Sequence, residues 1–281
     1  MLRVIVCIAA TVLYCCSMHR VALLLIAAYF AFEHFMSFMF VSKGHTELSS
    51  AWRHERHVGG IGTWTCNPRM KTAWVHFGGL STSAMKAASK FEEWGFMKHA
   101  VCIGATCITF DDISFFSSRT VSTPTISDIQ HTQEMMALQL TGCYEKFIVS
   151  GHSFGGYRAT QFVKALNDIG ANVSVVLFLN TYDNALQIAS LPVSYQVALQ
   201  LFPACSTLHT DLVMCSIGKV IVLHSSDDEL IPYEEALRLT GRLSHKHNVV
   251  MMPMRGNHCN FDVTNVHLNA IYLGFKCQQC T

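Results

Sequence analysis

KFIVSGHSFGGYRATQFVKAL, residues 146–166, joins a short apolar run to a serine between glycines and then to a stretch with helical apolar spacing. The run KFIVS predicts a buried strand, and the residues from Gly155 onward predict a helix. A serine in the pattern G-x-S-x-G at such a junction is typical of a nucleophile elbow, where side chains at the two glycines would collide with neighbouring elements. The stretch therefore predicts that Ser153 is a nucleophile above a sheet edge, with a plain glycine turn as the competing interpretation.

Short apolar runs alternate with helical patterns along the rest of the chain. The predicted strands are AWVHF (73–77), HAVCIG (99–104) or CITF (107–110), VSVVLFLN (173–180), KVIVLHS (219–225) and NVVMMP (248–253). The predicted helices are 83–97, 126–140, 155–170, 233–246 and 263–275. Strands that are apolar on both faces and separated by helices indicate a parallel sheet covered on both sides. The predicted fold class is α/β.

Size and charge limit the kind of protein. A chain of 281 residues, 51% of them hydrophobic, can bury the core of one large α/β domain. The formal net charge is +1, without the basic block that binding to a phosphate backbone requires. We therefore expect one main domain, over residues 47–281, and no nucleic-acid partner.

The N-terminal residues are almost wholly apolar from Val4 to Val41. Each half of this stretch approaches the roughly 20 residues that a membrane helix needs. A signal peptide cleaved near Ser17, one signal-anchor helix and a hairpin of two helices all fit the pattern, and retention in the membrane is favoured. Residues 1–43 are thus predicted to be a membrane anchor, with the orientation left open.

A serine hydroxyl becomes a nucleophile only beside a base, which a carboxylate holds in the correct tautomer. In chain order the acid should come next and the histidine last, each in a loop after a later strand. Asp227 and Asp228 follow the strand 219–225, and His258 follows the strand 248–253. The sequence therefore predicts a triad of Ser153, His258 and one of these two acids.

This order of sites resembles the α/β-hydrolase superfamily, and LHSSDDELIPYEEA (223–236) with RGNHCNF (255–261) resembles its small membrane-anchored serine hydrolases. The family pattern H-G-x-x-D-x-x-V-P matches His224, Asp228 and Pro232, which favours Asp228 over Asp227. Ser225 departs from the family's glycine. Asp183 is a further alternative, since some members of the superfamily carry the acid after the preceding strand. The resemblance also implies a short cap, expected at about residues 181–218.

The oxyanion that forms during serine attack needs two backbone donors. One is expected to be the amide of Phe154, and the other lies in HFGGLSTS (76–83), after the first parallel strand. The resemblance implies His-Gly at that strand end, so Phe77 is a departure. Gly78 is the first choice for the second donor, with Phe77 and Gly79 as alternatives.

The resemblance implies a serine hydrolase of carboxylic esters or thioesters, with lipid-like or acylated substrates presented near a membrane. His152 and the segment 181–218 are expected to shape the acyl pocket, although the segment's amphipathic spacing equally fits helices packed on the sheet. This chemistry requires no metal or organic cofactor. The competing hypothesis is a non-catalytic, membrane-tethered scaffold that keeps the fold.

Overall fold

The computed structural model describes residues 21, 48–56, 61–68, 70–79, 82–111, 126–188 and 212–276. The predicted membrane anchor lies outside these residues, apart from residue 21, and so does the middle of the predicted cap, at 189–211. No helix within the described ranges combines the length and the apolar character needed to cross a bilayer.

A mixed sheet of eight strands forms the centre of the described chain. The strands are β1 (Trp52–Arg56), β2 (Gly62–Cys66), β3 (Thr72–Phe77), β4 (Ala105–Phe110), β5 (Lys146–His152), β6 (Asn172–Leu179), β7 (Lys219–Ser225) and β8 (Val249–Met254). Their spatial order is β1-β2-β4-β3-β5-β6-β7-β8. β1 and β2 are antiparallel to their neighbours, and the other adjacent pairs are parallel. The predicted α/β class with a mostly parallel sheet is therefore confirmed.

The helices cover both faces of this sheet. Within the described ranges they are α1 (Ala84–Glu93), α2 (Phe96–Cys102), α3 (Ile126–Thr141), α4 (Gly155–Asp168), α5 (Tyr233–Leu243) and α6 (Asn265–Lys276), with a 3-10 turn at Ala185–Gln187. Apolar residues of α3, α4 and α5 pack on one face, and those of α1, α2 and α6 pack on the other. Within β5, Phe147 and Val149 face the first group while Ile148 faces the second, as the strand period of two requires.

Two predicted elements differ from the structure. The single helix predicted for residues 83–97 is divided, because Gly95 adopts a left-handed conformation with φ of 80° between α1 and α2. The alternative strand at 99–104 is wrong, because residues 99–102 belong to α2, whose buried Phe96 and Ala100 have the four-residue spacing of a helix, and residues 103–104 form the turn that follows it. The strand forms instead at β4, after Gly104.

The parallel strands end at a common edge. In register, Phe77 lies beside Gly151, His152 lies beside Leu179, and Ser225 lies beside Met254. The loops that follow β3, β5, β6, β7 and β8 therefore leave the sheet on the same side, which is where α/β folds bind ligands. The predicted site residues belong to these loops.

Candidate active site

Ser153 lies at a sharp turn between β5 and α4. Its φ of 55° is in the left-handed region, which a non-glycine residue seldom adopts. Its amide donates to the carbonyl of Leu179 at 3.0 Å, and its own carbonyl accepts from the amide of Gly156 at 2.9 Å. A strained backbone held by such contacts is characteristic of functional turns.

The two glycines of the motif are required by close backbone packing. A Cβ on Gly151 would lie 2.3 Å from the carbonyl oxygen of Gly155. A Cβ on Gly155 would lie 2.2 Å from the carbonyl oxygen of Phe77 and 2.5 Å from that of Gly78. The turn can therefore pack against the end of β3 only because both positions lack a side chain.

Asp228 and His258 form a direct pair in two different loops. Nδ1 of His258 lies 2.8 Å from Oδ2 of Asp228, and the side chain of Asp228 is fully buried. The other oxygen, Oδ1, accepts from the amides of Leu230 and Ile231, each at 2.9 Å. With Asp228 ionised, the proton of this bond lies on Nδ1 of His258, so that the tautomer of the neutral imidazole has its lone pair on Nε2.

Hydrogen bonding keeps Asp228 ionised despite its burial. Burial by itself raises the pKa of this carboxyl, but the bond and charge of His258 and the two amides outweigh that effect. The net result is a pKa below the ordinary aspartate value. The pair is thus an ionised carboxylate that orients a histidine.

The other two candidate acids do not contact this histidine. Asp227 is exposed, and its amide faces the hydroxyl of Ser225 at 3.4 Å. Asp183 is fully buried and pairs with Nε of Arg242 at 3.2 Å. The structure brings Asp228, among the three acids, to His258.

Ser153 and His258 lie at the same edge of the sheet. The ring centroid of His152, the residue before Ser153, is 4.9 Å from that of His258. Within the described residues, no hydrogen bond joins the hydroxyl of Ser153 to the imidazole of His258. The structure thus assembles the acid–histidine pair beside the serine without the serine–histidine bond.

The loop after β3 passes over the Ser153 turn. A Cβ on Gly79 would lie 3.2 Å from Cβ of Ser153, whereas one on Gly78 would meet the side chain of Thr82 at 2.4 Å. The ring of Phe77 points into the core, with ring centroids 5.1 Å and 5.7 Å from those of Phe110 and Phe162. Phe77 therefore fits in place of glycine because its side chain lies in the core and not beside the loop that follows the strand. Phe154, half-buried, directly follows the serine and is the N-cap residue of α4.

His152 is buried behind the serine. Its Nε2 lies 2.8 Å from the carbonyl oxygen of His258, and its ring packs against Trp94 at 5.1 Å between centroids. Burial, followed by the charge of His258, lowers the pKa of His152 to about 3. His152 is therefore neutral, and its Nε2 donates to the backbone of the loop that carries His258.

Several residues that support His258 carried no clear signal in the sequence. Glu229 accepts from the amide of His258 at 3.0 Å, and Trp94 stacks on Phe261 at 4.5 Å. Ser225 donates to the carbonyl of Gly256, so the departure from glycine at this position adds a link between two loops. Asn180 could have been suspected, because it is a polar residue directly after a buried strand.

The described ranges contain no group of three or more His, Cys, Asp or Glu side chains arranged to hold a metal ion.

Sequence comparison and structure comparison give different results. No protein-family model and no curated protein matches the chain. The fold is similar to that of the Pyrococcus furiosus esterase Pf2001, with a TM-score of 0.57, 11% identity, and coverage of 86% of this chain and 96% of that one. It is also similar to an arylesterase, with a TM-score of 0.58, 12% identity and 89% coverage of both chains.

A lipase/esterase from Lactobacillus plantarum has a TM-score of 0.56 and 9% identity, over 81% of this chain and 97% of that chain. At such identities the likeness concerns the fold. The chain therefore shares the fold of these esterases and lipases, an α/β fold consistent with that of the α/β-hydrolases.

Proposed function

We propose that the protein is a serine hydrolase that cleaves carboxylic esters through Ser153, His258 and Asp228. The observation that carries the proposal is the buried 2.8 Å pair between Asp228 and His258, formed beside a serine in a left-handed turn. Burying an ionised carboxylate and holding a non-glycine residue in the left-handed region both cost free energy of folding. Both features are typical of functional sites. The shared fold with esterases supports the same reaction class.

The proposed reaction follows from the tautomer that Asp228 imposes. Ser153 attacks the acyl carbonyl while Nε2 of His258 takes the serine proton, and Asp228 stabilises the imidazolium that results. His258 then gives this proton to the leaving alkoxide. Water, deprotonated by the same Nε2, attacks the acyl-serine, and His258 returns that proton to Oγ of Ser153 as the bond between Oγ and the acyl carbon breaks and the acid leaves.

The oxyanion of each tetrahedral intermediate needs donors at the turn. The amide of Phe154 is one, because it follows the nucleophile at the start of α4. The position of Gly79 against Ser153 supports its amide as the second, with Gly78 as the alternative.

The proposed substrate class rests on the sequence of the N-terminal segment, which lies almost wholly outside the described residues. The apolar N-terminal segment suggests anchoring at a membrane, which would present lipid-like esters or acylated proteins to the site. Thioesters undergo the same acyl transfer and are the second class of substrate that we propose.

A fluorophosphonate probe tests the proposal, because it labels only activated serines. We expect the full-length wild type to be labelled and to hydrolyse p-nitrophenyl esters, with both signals lost in Ser153→Ala. Ser226→Ala, an exposed serine of the β7–α5 loop, is the matched control and should retain both.

The second candidate is a non-catalytic scaffold, which the missing serine–histidine bond among the described residues favours. Catalytic hydrogen bonds are often long before substrate binds, so this observation carries less weight than the buried pair. A folded wild type that resists the probe and hydrolyses no ester or thioester would establish the scaffold.

A further inference from the structure

Asn180 and Thr181 directly follow β6 and contact all three loops of the proposed triad. Both residues are fully buried, although both are polar. Neither touches the reacting atoms in the proposed chemistry. Burying polar side chains costs free energy that their hydrogen bonds must offset, and the bonds of these two residues lead to the loops of the proposed triad.

Asn180 connects the acid loop to the histidine loop. Its Oδ1 accepts from the amide of Ser225 at 2.7 Å, at the end of β7 just before Asp228. Its Nδ2 donates to the carbonyl of His258 at 3.0 Å, and the carbonyl of Asn257 lies 3.4 Å away. One amide group thus fixes the distance between the backbones that carry the two paired residues.

Thr181 connects the same point to the nucleophile turn. Its Oγ1 donates to the carbonyl of Ser153 at 2.7 Å. The amide of Ser153 donates to Leu179, the residue before Asn180, at 3.0 Å. The left-handed Ser153 is therefore held on both sides of its backbone by the end of β6.

The backbone of Asn180 explains why asparagine suits this position. Its φ is 43°, in the left-handed region, which asparagine tolerates better than most residues with side chains. The amide of Asn180 donates to the carbonyl of Leu223 at 3.0 Å, which ties the turn to β7. The left-handed turn directs the side chain between the two loops.

We propose that Asn180 and Thr181 are positioning residues that hold Ser153, Asp228 and His258 in register. The inference rests on the proposed function. In this arrangement β6 contributes no member of the triad. It contributes the common anchor for the three loops that carry them, and Asp183, further along, pairs with Arg242.

The test compares two variants with two matched controls at the opposite end of the sheet. Asn180→Gly keeps the left-handed backbone and removes the side-chain bonds, and Thr181→Val removes only the hydroxyl. Asn67 has φ of 57° and donates to the carbonyl of Ala105 at 3.0 Å, and Thr106 donates to Asn67 at 2.9 Å. Asn67→Gly and Thr106→Val therefore remove equivalent bonds at the amino end of β4.

We expect Asn180→Gly and Thr181→Val to lower kcat about 10- to 100-fold, with KM changed less than about threefold. Without their hydrogen bonds the three loops shift, and the triad side chains leave the geometry that the reaction needs. Both control variants should keep kcat within about twofold of wild type, even where thermal stability falls. Thr181→Ser, which restores the hydroxyl, should recover most of the kcat lost in Thr181→Val. Rates are counted per folded molecule, so a loss of stability alone does not imitate the effect.

A proton NMR spectrum provides a readout that does not need turnover. The low-field resonance of the proton between Nδ1 of His258 and Asp228 should weaken or shift in Asn180→Gly and persist in Asn67→Gly. A wild type that shows this resonance but has no activity would contradict the proposed function. The resonance of Asn180→Gly and Asn67→Gly would still test the positioning role. The inference is overturned if Asn180→Gly and Thr181→Val keep the wild-type kcat and resonance, or if the controls lose as much.

Discussion

At the scale of single residues, the contacts of each carboxylate separate three acids that are chemically alike. Asp228 is held by two amides on one oxygen and by His258 on the other. Asp183 is equally buried but faces Arg242, and Asp227 faces solvent. Burial alone therefore does not identify the proposed catalytic acid, whereas the partner of each oxygen does.

Substitution of each acid by asparagine tests this distinction. Asp228→Asn should lower kcat by about 10³- to 10⁴-fold, because the amide no longer fixes the tautomer or stabilises the imidazolium. Asp227→Asn should have a rate close to that of wild type. Asp183→Asn should lower the free energy of unfolding while changing kcat little, because it weakens the pairing of a buried carboxylate with the half-exposed Arg242. Steady-state kinetics and urea unfolding of the three variants measure both effects, and a greater loss of kcat in Asp183→Asn than in Asp228→Asn would contradict the assignment.

At the scale of elements, the junction of β5 and α4 is packed against the end of β3 without space for a methyl group. A Cβ on Gly155, the first residue of α4, would meet the carbonyl oxygen of Phe77, at the end of β3, and that of Gly78, in the loop expected to supply an oxyanion donor. The shape of the turn and the position of that donor are therefore coupled.

Gly155→Ala should reduce the free energy of unfolding by about 1–3 kcal/mol, because the added methyl forces backbone atoms apart. It should also reduce kcat, since the β3 loop must move. Gly241→Ala, within α5, is the control, because its added Cβ meets nothing within 4 Å. That variant should be more stable by about 0.5–1 kcal/mol, as alanine favours helix. Urea titration of both would contradict this account if Gly155→Ala were as stable as wild type.

The same scale shows how far local patterns predict elements. The helices 126–140 and 155–170 were predicted nearly to their ends, because their apolar spacing and their end signals agree. The division of residues 83–97 was missed because Gly95 is a weak signal until packing on the sheet selects its left-handed conformation. The departure from glycine at Phe77 does not obstruct the loop after β3, since the ring of Phe77 lies in the core.

At the scale of the whole molecule, the site region buries neutral histidines. Burial lowers the pKa of His76 to about 3, with a smaller contribution from His152, whose own pKa is also lowered to about 3. Lys90 and His258 add positive charge near His152, and Asp228 opposes them. Folding therefore excludes protons that the unfolded chain binds near the ordinary histidine value of about 6.5.

Stability should consequently fall in mild acid. Because the folded pKa is depressed, the contribution is fully present above about pH 6.5 and is lost as the pH falls toward 3. Within that window, each histidine lowers the free energy of unfolding by at most about 1.4 kcal/mol for each pH unit of acidification. Urea unfolding between pH 7 and pH 5 should show this slope, and His76→Phe should reduce it. An equal slope in wild type and His76→Phe would exclude a contribution from His76.

The amino-acid sequence alone predicts the α/β class and the position of Ser153, Asp228 and His258 in loops at one edge of the sheet. It could do so because strand and helix periods, glycine turns and the ends of parallel strands are local or follow from chain order. The three-dimensional packing is needed to establish that Asp228 is the acid in contact with His258, that the ring of Phe77 lies in the core, and that Asn180 and Thr181 join the three loops. Those outcomes depend on hydrogen bonds and packing between residues that are distant in the chain, which no local pattern encodes.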